Sequence, residues 1–281
     1  MRIDSHQHFW RYNDTDYVWM TGELRQLARD YGPEDLRPLL DESGVDATVA
    51  VQARQMTAEN DFLLGIADAH SWVLGVVGWV DFASDEVAAQ IERYADHLKF
   101  RGVRELIHDM PDEDYAISRD HRAGVGLLER FGLTYDLLLR PQHIPAATRL
   151  VDRLPNQRFV VDHIAKPPIA SGELEPWASR IADLARREHV WCKVSGMVTE
   201  ADWSSWRPAD LRPYLDVCLE SFGPERLMLG SDWPVCTCAA DYRSVVSIVT
   251  DYVSTLSPGE QDAVLGATCA RFYSLDRGDR S

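Results

Sequence analysis

Read for polarity alone, the chain alternates between short apolar runs rich in β-branched residues and longer amphipathic stretches. Runs of strand character fall at 46–53 (DATVAVQA), 73–80 (VLGVVGWV), 102–107 (GVRELI), 133–139 (LTYDLLL), 158–164 (RFVVDHI), 190–194 (VWCKV) and 226–232 (RLMLGSD). With the opening stretch Arg2-Ile3-Asp4-Ser5-His6-Gln7-His8 they make eight. Apolar runs this continuous suit strands covered on both faces, as in a parallel sheet. Helical patterns fill the gaps at 33–43, 57–70, 84–97, 119–131, 145–154, 174–188, 209–222 and 241–256, and a last one follows at 258–270. The punctuation agrees. Ser257-Pro258-Gly259-Glu260 reads as a capping box with proline at the first helical position, and Ser84-Asp85-Glu86 as a capped acidic first turn. Gly44, Gly132 and Gly223 stand just past helix ends, where a left-handed cap favours glycine.

Eight strand–helix alternations in 281 residues, with no linker and no shift in composition, predict an α/β chain forming one (β/α)8 barrel, the TIM barrel. The rival is a doubly wound open sheet, but no G-x-G-x-x-G follows the first strand. The barrel is expected over 1–275 and a short polar tail over 276–281. One connection breaks the rhythm. Residues 9–32 are long and aromatic, with Phe9, Trp10, Tyr12, Tyr17 and Trp19. They could fold over the barrel mouth as a wall for a ring-shaped ligand, or pin a long loop to the body.

Alternation along a strand puts Asp4, His6 and His8 on one side and Ile3, Ser5, Gln7 and Phe9 on the other. Two imidazoles so spaced can converge on one divalent cation, or flank a substrate carbonyl as donors. In a barrel the C-terminal strand ends meet at one rim. That rim would receive Gln52, Arg54 and Gln55, Arg104 and His108, Asp136 and Arg140, His163 and Lys166, Ser195, and Asp232. His163 taken singly reads as a core histidine and Asp232 as a turn cap. Together with His6 and His8 they make a set for one divalent ion, or a carbonyl-polarising cluster with a carboxylate base.

Composition narrows the partners. A formal charge of −16 argues against nucleic acid, which needs a cationic footprint, but leaves room for an anionic small molecule if local Arg and Lys reverse the field. No apolar run reaches membrane-spanning length, and no basic then apolar leader marks export. Five cysteines, odd in number and thinly spread, read as reduced thiols of a cytoplasmic protein, and Cys236-Thr237-Cys238 is too isolated for a zinc site.

Several segments together resemble the amidohydrolase superfamily: DSHQHFW, VQARQ, GVRELIHDMPD, LLLRPQHI, FVVDHIAKP, VWCKVSG, LMLGSDWPV and ARFYSL. Within it they are similar to the sugar-lactonase branch, which includes L-fuconolactonase, L-rhamnonolactonase and 2-pyrone-4,6-dicarboxylate lactonase. The resemblance runs from residue 3 to about 275, and VQARQ points toward the fuconolactonase-like members. It implies a (β/α)8 barrel in which His6 and His8 match the first-strand His-x-His and His163 the mid-barrel histidine. Asp232 matches the aspartate that takes a proton from the attacking water. No bridging lysine or second mid-barrel histidine is evident, so the resemblance implies at most one divalent metal, zinc by preference, with metal independence left open. His108 departs from the family, where glutamine is frequent, as does Thr268, where asparagine is common.

The implied activity is hydrolysis of a small aldonolactone. Arg54, Gln52, Arg104, His108, Arg140 and Lys166 are the expected substrate contacts, with Trp10, Trp19 and Trp233 packing on a sugar face. The alternatives are hydrolysis of a dicarboxylic pyrone lactone, metal-dependent decarboxylation on the same site, or a catalytically silent barrel that binds a sugar acid. The expected partner is a small lactone, without nucleic acid or membrane; association into a homo-oligomer stays open.

Overall fold

The computed structural model describes residues 1–275; the expected polar tail at 276–281 lies outside them. Eight parallel strands follow one another around the sheet: β1 (Ile3–Gln7), β2 (Ala47–Val51), β3 (Val73–Gly78), β4 (Phe100–Glu105), β5 (Thr134–Leu137), β6 (Phe159–Val161), β7 (Val190–Val194) and β8 (Leu227–Leu229). The helices are α1 (Pro33–Ser43), α2 (Thr57–Ala69), α3 (Val87–Ala95), α4 (Arg119–Leu128), α5 (Ile144–Arg153), α6 (Trp177–Ala185), α7 (Met197–Glu200), α8 (Pro208–Phe222), α9 (Tyr242–Val253), α10 (Pro258–Asp262) and α11 (Thr268–Tyr273). This is a (β/α)8 barrel, so the apolar runs are indeed covered on both faces. One apolar layer lies between strands and helices. A second fills the barrel with Ile3, Val49, Val51, Val77, Val160 and Met228, and α11 closes its lower end through Cys269, Phe272 and Tyr273.

Three elements differ from the sequence pattern. Helix α3 begins only at Val87, so Ser84-Asp85-Glu86 is the turn before it and not its first turn. The single helix expected at 258–270 is divided, because a wide turn at Ala263–Ala267 separates α10 from α11. Gly266 allows it: a Cβ there would stand 2.1 Å from the Met1 carbonyl oxygen. The short α7, unforeseen, follows β7 directly and carries Thr199 and Glu200 to the rim.

The seam between β8 and β1 is where the barrel closes, and few backbone rungs span it. The Asp232 amide donates to the His6 carbonyl at 2.8 Å, and the His8 amide to the Trp233 carbonyl at 2.7 Å. Asp4 supplies the rest. Its Oδ1 accepts from the Ser231 amide (2.9 Å) and the His6 amide (3.1 Å), and its Oδ2 from the Ser231 hydroxyl (2.6 Å) and Tyr242 (3.1 Å). Asp4 therefore does not share the side of His6 and His8, as strict alternation would have it. The β1–β2 register slips between Asp4 and Gln7, where one extra residue in β1 breaks the parity. Burial lifts the Asp4 carboxyl to about 6, against the pull of its hydrogen bonds.

The exit of β2 is held by a second buried acid. Glu59, in the first turn of α2, accepts from the amides of Ala53 (3.1 Å) and Arg54 (3.0 Å). Burial raises its carboxyl from 4.5 to about 7.

Two outcomes are expected. Asp4→Ala strands four buried donors and should lower unfolding free energy by about 3 kcal/mol or more in denaturant melts. For Glu59, the folded chain binds the proton more tightly than the unfolded one. Its contribution is full below the unfolded value of 4.5 and is lost as pH rises through about 7. Glu59→Gln should flatten that fall, worth about 3 kcal/mol across the window, in melts run at stepped pH.

Candidate active site

The closing seam puts His6, His8 and Asp232 side by side, and the turn after β6 adds His163. That turn is unusual: His163, Ile164, Ala165 and Lys166 all take left-handed backbone, with φ of 53°, 47°, 60° and 50°. Asp232 does so too, at φ 60°. Non-glycine residues there cost roughly 1–2 kcal/mol each, and such strain gathers where geometry matters for function. Gly196, just past β7, makes room, since a Cβ there would lie 2.6 Å from the His163 ring.

Asp232 Oδ1 is 3.3 Å from His8 Nε2, 3.6 Å from His163 Nε2 and 3.9 Å from His6 Nε2. Each imidazole is oriented from behind. His8 Nδ1 donates to the Val51 carbonyl at 2.8 Å, and His163 Nδ1 meets the Ser195 hydroxyl at 2.8 Å. Burial drives His6 and His163 well below the ordinary imidazole value, so both are neutral near pH 7. Burial also opposes ionisation of Asp232, yet its carboxyl stays below the usual value because His163, His8 and Lys166 surround it.

Donor atoms of a tetrahedral zinc site, with bonds near 2.05 Å, lie about 3.3 Å apart. Among the described residues His6, His8 and Asp232 bring their ligand atoms within 4.8 Å of one another and so suit a single divalent ion, with His163 Nε2 3.6 Å from the same carboxylate. Carbonyl and hydroxyl partners on the far ring nitrogens, as here, are the usual support of metal-binding histidines.

Beneath the cluster lies a fully buried charge network that includes residues the rim pattern did not single out. Lys193 Nζ reaches Asp136 (2.6 Å), Asp162 (3.0 Å) and His6 Nδ1 (3.1 Å). Arg104 Nη1 reaches Asp162 (3.0 Å) and His6 Nε2 (3.1 Å). Two acids face two bases. Burial pushes Asp136 up to about 6, whereas Lys193, His6 and Arg104 hold Asp162 well below the carboxylate range despite its burial. The signal for Lys193 was available: a lone cation inside the apolar run VWCKV.

Above the cluster opens a cavity of about 380 Å³. His8, His163, Asp232, Arg104, His108, Arg140, Lys166 and Trp10 line it, as do Trp19 and Leu24 from the long loop. The loop is both wall and anchor, because Trp10 packs on Tyr17, Trp19 and Tyr31 at 5.2–5.9 Å. Asp109, Thr199, Glu200 and Trp203 also line the cavity, none of them foreseen. Three expected contacts stand elsewhere. Arg54 pairs with Asp16 and lies 4.0 Å from Glu59. Gln52 turns its amide to the Arg104 carbonyl (3.3 Å). Trp233 is buried between Phe9 and Tyr31.

Comparison with known proteins places this geometry. A family model described as amidohydrolase matches residues 3–275. An L-fucono-1,5-lactonase of Burkholderia multivorans is 40% identical over 286 residues, covering 98% of this chain and 96% of the relative. A crystal structure of a B. multivorans amidohydrolase with bound zinc superposes with a TM-score of 0.91 at 40% identity, over 98% of this chain and 99% of that one. A probable 2-pyrone-4,6-dicarboxylic acid hydrolase of Acinetobacter baumannii shares the fold at TM-score 0.79 and 17% identity, over 97% and 99% of the chains.

The seat of His163 can be tested without substrate. Gly196→Ala should destabilise the fold by about 2–4 kcal/mol, from backbone strain plus a displaced ring. Gly172→Ala, also at positive φ but with nothing within 4 Å, should cost only about 1 kcal/mol. Equal losses in denaturant melts would remove the steric role of Gly196.

Proposed function

The chain belongs to the amidohydrolase family, and we propose that it is a cytoplasmic lactonase that opens a small, uncharged sugar-acid lactone, an aldonolactone of the L-fuconolactone kind. The observation that carries this reading is an ionised carboxylate ringed by three imidazoles at the floor of a cavity sized for a small ring.

Lactone opening needs a base for water and positive charge where the carbonyl oxygen becomes an oxyanion. Asp232 is the base: it accepts a proton from water as the oxygen adds to the carbonyl carbon. When the ring C–O bond breaks, the same carboxyl returns that proton to the departing alkoxide, and a hydroxy acid remains. His6, His8 and Asp232, with His163 beside the same carboxylate, would hold a divalent ion. Such an ion, when bound, supplies positive charge at the carbonyl oxygen and acidifies water. Trp10, Trp19 and Trp203 offer apolar faces to the ring. His108 Nδ1, buried and without a partner among the described residues, suits a substrate hydroxyl.

The charges favour the neutral lactone over a dicarboxylic pyrone. Lys166 is paired with Glu200 at 2.5 Å, Arg104 with Asp162, and Arg54 with Asp16 outside the cavity. Arg140 alone of the expected cations forms no ion pair among the described residues. Asp109 and Glu200 add negative charge to the wall. A substrate with two carboxylates would meet one unpaired guanidinium and two acids. The silent-barrel alternative has less support, since binding alone gives no reason to strain Asp232 into place.

Asp232→Asn should keep its melting temperature and lose at least about 1000-fold in kcat/KM on an aldonolactone panel followed by proton release. Retention within tenfold would sink the assignment of the base. On the same panel a neutral aldono-1,5-lactone should outrun 2-pyrone-4,6-dicarboxylate by about 100-fold or more.

A further inference from the structure

His8 and His163 flank the same carboxylate, but the groups behind them differ in what they can do. The Val51 carbonyl, 2.8 Å from His8 Nδ1, only accepts. A neutral His8 therefore keeps its proton on Nδ1 and turns an Nε2 lone pair toward Asp232 at 3.3 Å. His163 Nδ1 instead stands 2.8 Å from the hydroxyl of Ser195, buried just past β7, and a hydroxyl can give or take a hydrogen. Among the described residues that hydroxyl has no other hydrogen-bond partner. If His163 Nδ1 donated to it, the hydroxyl hydrogen would be buried with nothing to accept it, an arrangement that folded proteins avoid. If the hydroxyl donates to Nδ1, the one donor of Ser195 is used and only oxygen lone pairs go unmet. A neutral imidazole carries one proton, and on His163 it is then on Nε2.

The near side of the ring agrees. Nε2 faces Asp232 Oδ1, an acceptor, at 3.6 Å, and among the described residues no N–H or O–H donates to it. We propose that Ser195 is a positioning residue: by donating to Nδ1 it fixes His163 as an Nε2–H donor on the cavity wall, outside the ligand set of a divalent ion. The two histidines are thus held in opposite tautomers by the partners behind them. His8 offers a lone pair to a cation. His163 offers a hydrogen to an oxygen, the nearest being Asp232 in the free chain and the carbonyl of the lactone during turnover. Only that last assignment rests on the lactonase reading; the tautomer is a property of the free chain.

The test is a two-bond proton–nitrogen correlation spectrum of the metal-stripped full chain, with nitrogen-labelled histidine, near neutral pH. It reads which ring nitrogen holds the proton, and the signals lost in His8→Gln and His163→Gln assign the two rings. His163 should be protonated on Nε2 and His8 on Nδ1; a proton on Nδ1 of His163 would overturn the proposal. Where exchange broadens the His163 signals, zinc affinity measured by competition with a chromophoric chelator decides. His8→Gln should lose at least about thirtyfold and His163→Gln less than about threefold. Equal losses would make His163 an ordinary ligand, as in a site shared with His6 and Asp162, and the proposal would fall. Ser195→Ala checks the cause. It should keep native circular dichroism and KM within about threefold while kcat drops about tenfold or more. An unchanged kcat would remove Ser195 from the role. A wild-type chain that turns over no lactone would sink the lactonase reading and leave the tautomer to be settled by the spectrum.

Discussion

Lys193 carries the structural burden of this barrel. An ammonium with no exposure stands between Asp136 and Asp162, and Arg104 joins on the far side of Asp162. Each charge alone would cost several kcal/mol to bury, and removing one partner of such a set typically costs about 3–5 kcal/mol. Two acids against two bases leave the interior neutral, which is the condition for keeping all four. The set also spans the barrel's height. Tyr273 of α11, at the closed lower end, donates to Asp136 at 2.7 Å, and Lys193 and Arg104 both touch His6 at the mouth. The C-terminal helix and the reacting cluster are thus joined by consecutive hydrogen bonds, and the plug cannot shift without disturbing the floor of the site.

The seam between β8 and β1 shows the same economy. A parallel barrel must close somewhere, and here the closing rungs are the Asp232 amide on the His6 carbonyl and the His8 amide on the Trp233 carbonyl. The hydrogen bonds that complete the sheet are those that fix three of the four groups in the cluster. The bulge in β1 turns Asp4 toward Ser231 and Tyr242, where it accepts four bonds, and leaves His6 and His8 facing the axis. Strand pairing alone would not set the imidazole positions so closely.

The architecture was legible because buried parallel strands announce themselves as apolar runs and surface helices by their period. The span expected at 33–43 coincides with α1, and that at 190–194 with β7. Strand ends ran long, 46–53 against Ala47–Val51, because the polar residues that leave the sheet continue its local pattern. His6, His8, His163 and Asp232 could be assembled in advance since each ends or begins an apolar run. What stayed hidden depends on tertiary register. Parity along β1 fails at a bulge set by its neighbour. Arg54 was expected at the substrate, but its partner is Asp16, 38 residues earlier. Lys193 and Asp162 were visible as letters, but only the closed barrel shows that they share one network.

The left-handed turn after β6 shows what the chain gives up for its geometry. Four consecutive non-glycine residues in that conformation amount to roughly 4–8 kcal/mol of unfavourable backbone energy taken separately. The surroundings leave no alternative. Ile164 and Ala165 are fully buried, the Trp177 indole donates to the Ile164 carbonyl at 2.7 Å, and Lys166 closes back on the His163 carbonyl at 2.8 Å. A right-handed or extended path would carry His163 or Lys166 out of the cavity. The reversed turn instead brings both to it, three residues apart, one onto Asp232 and the other onto Glu200. Strain of this size is tolerable only where packing over-determines the backbone, and here Ile164 and Ala165 are locked into the apolar layer between strands and helices.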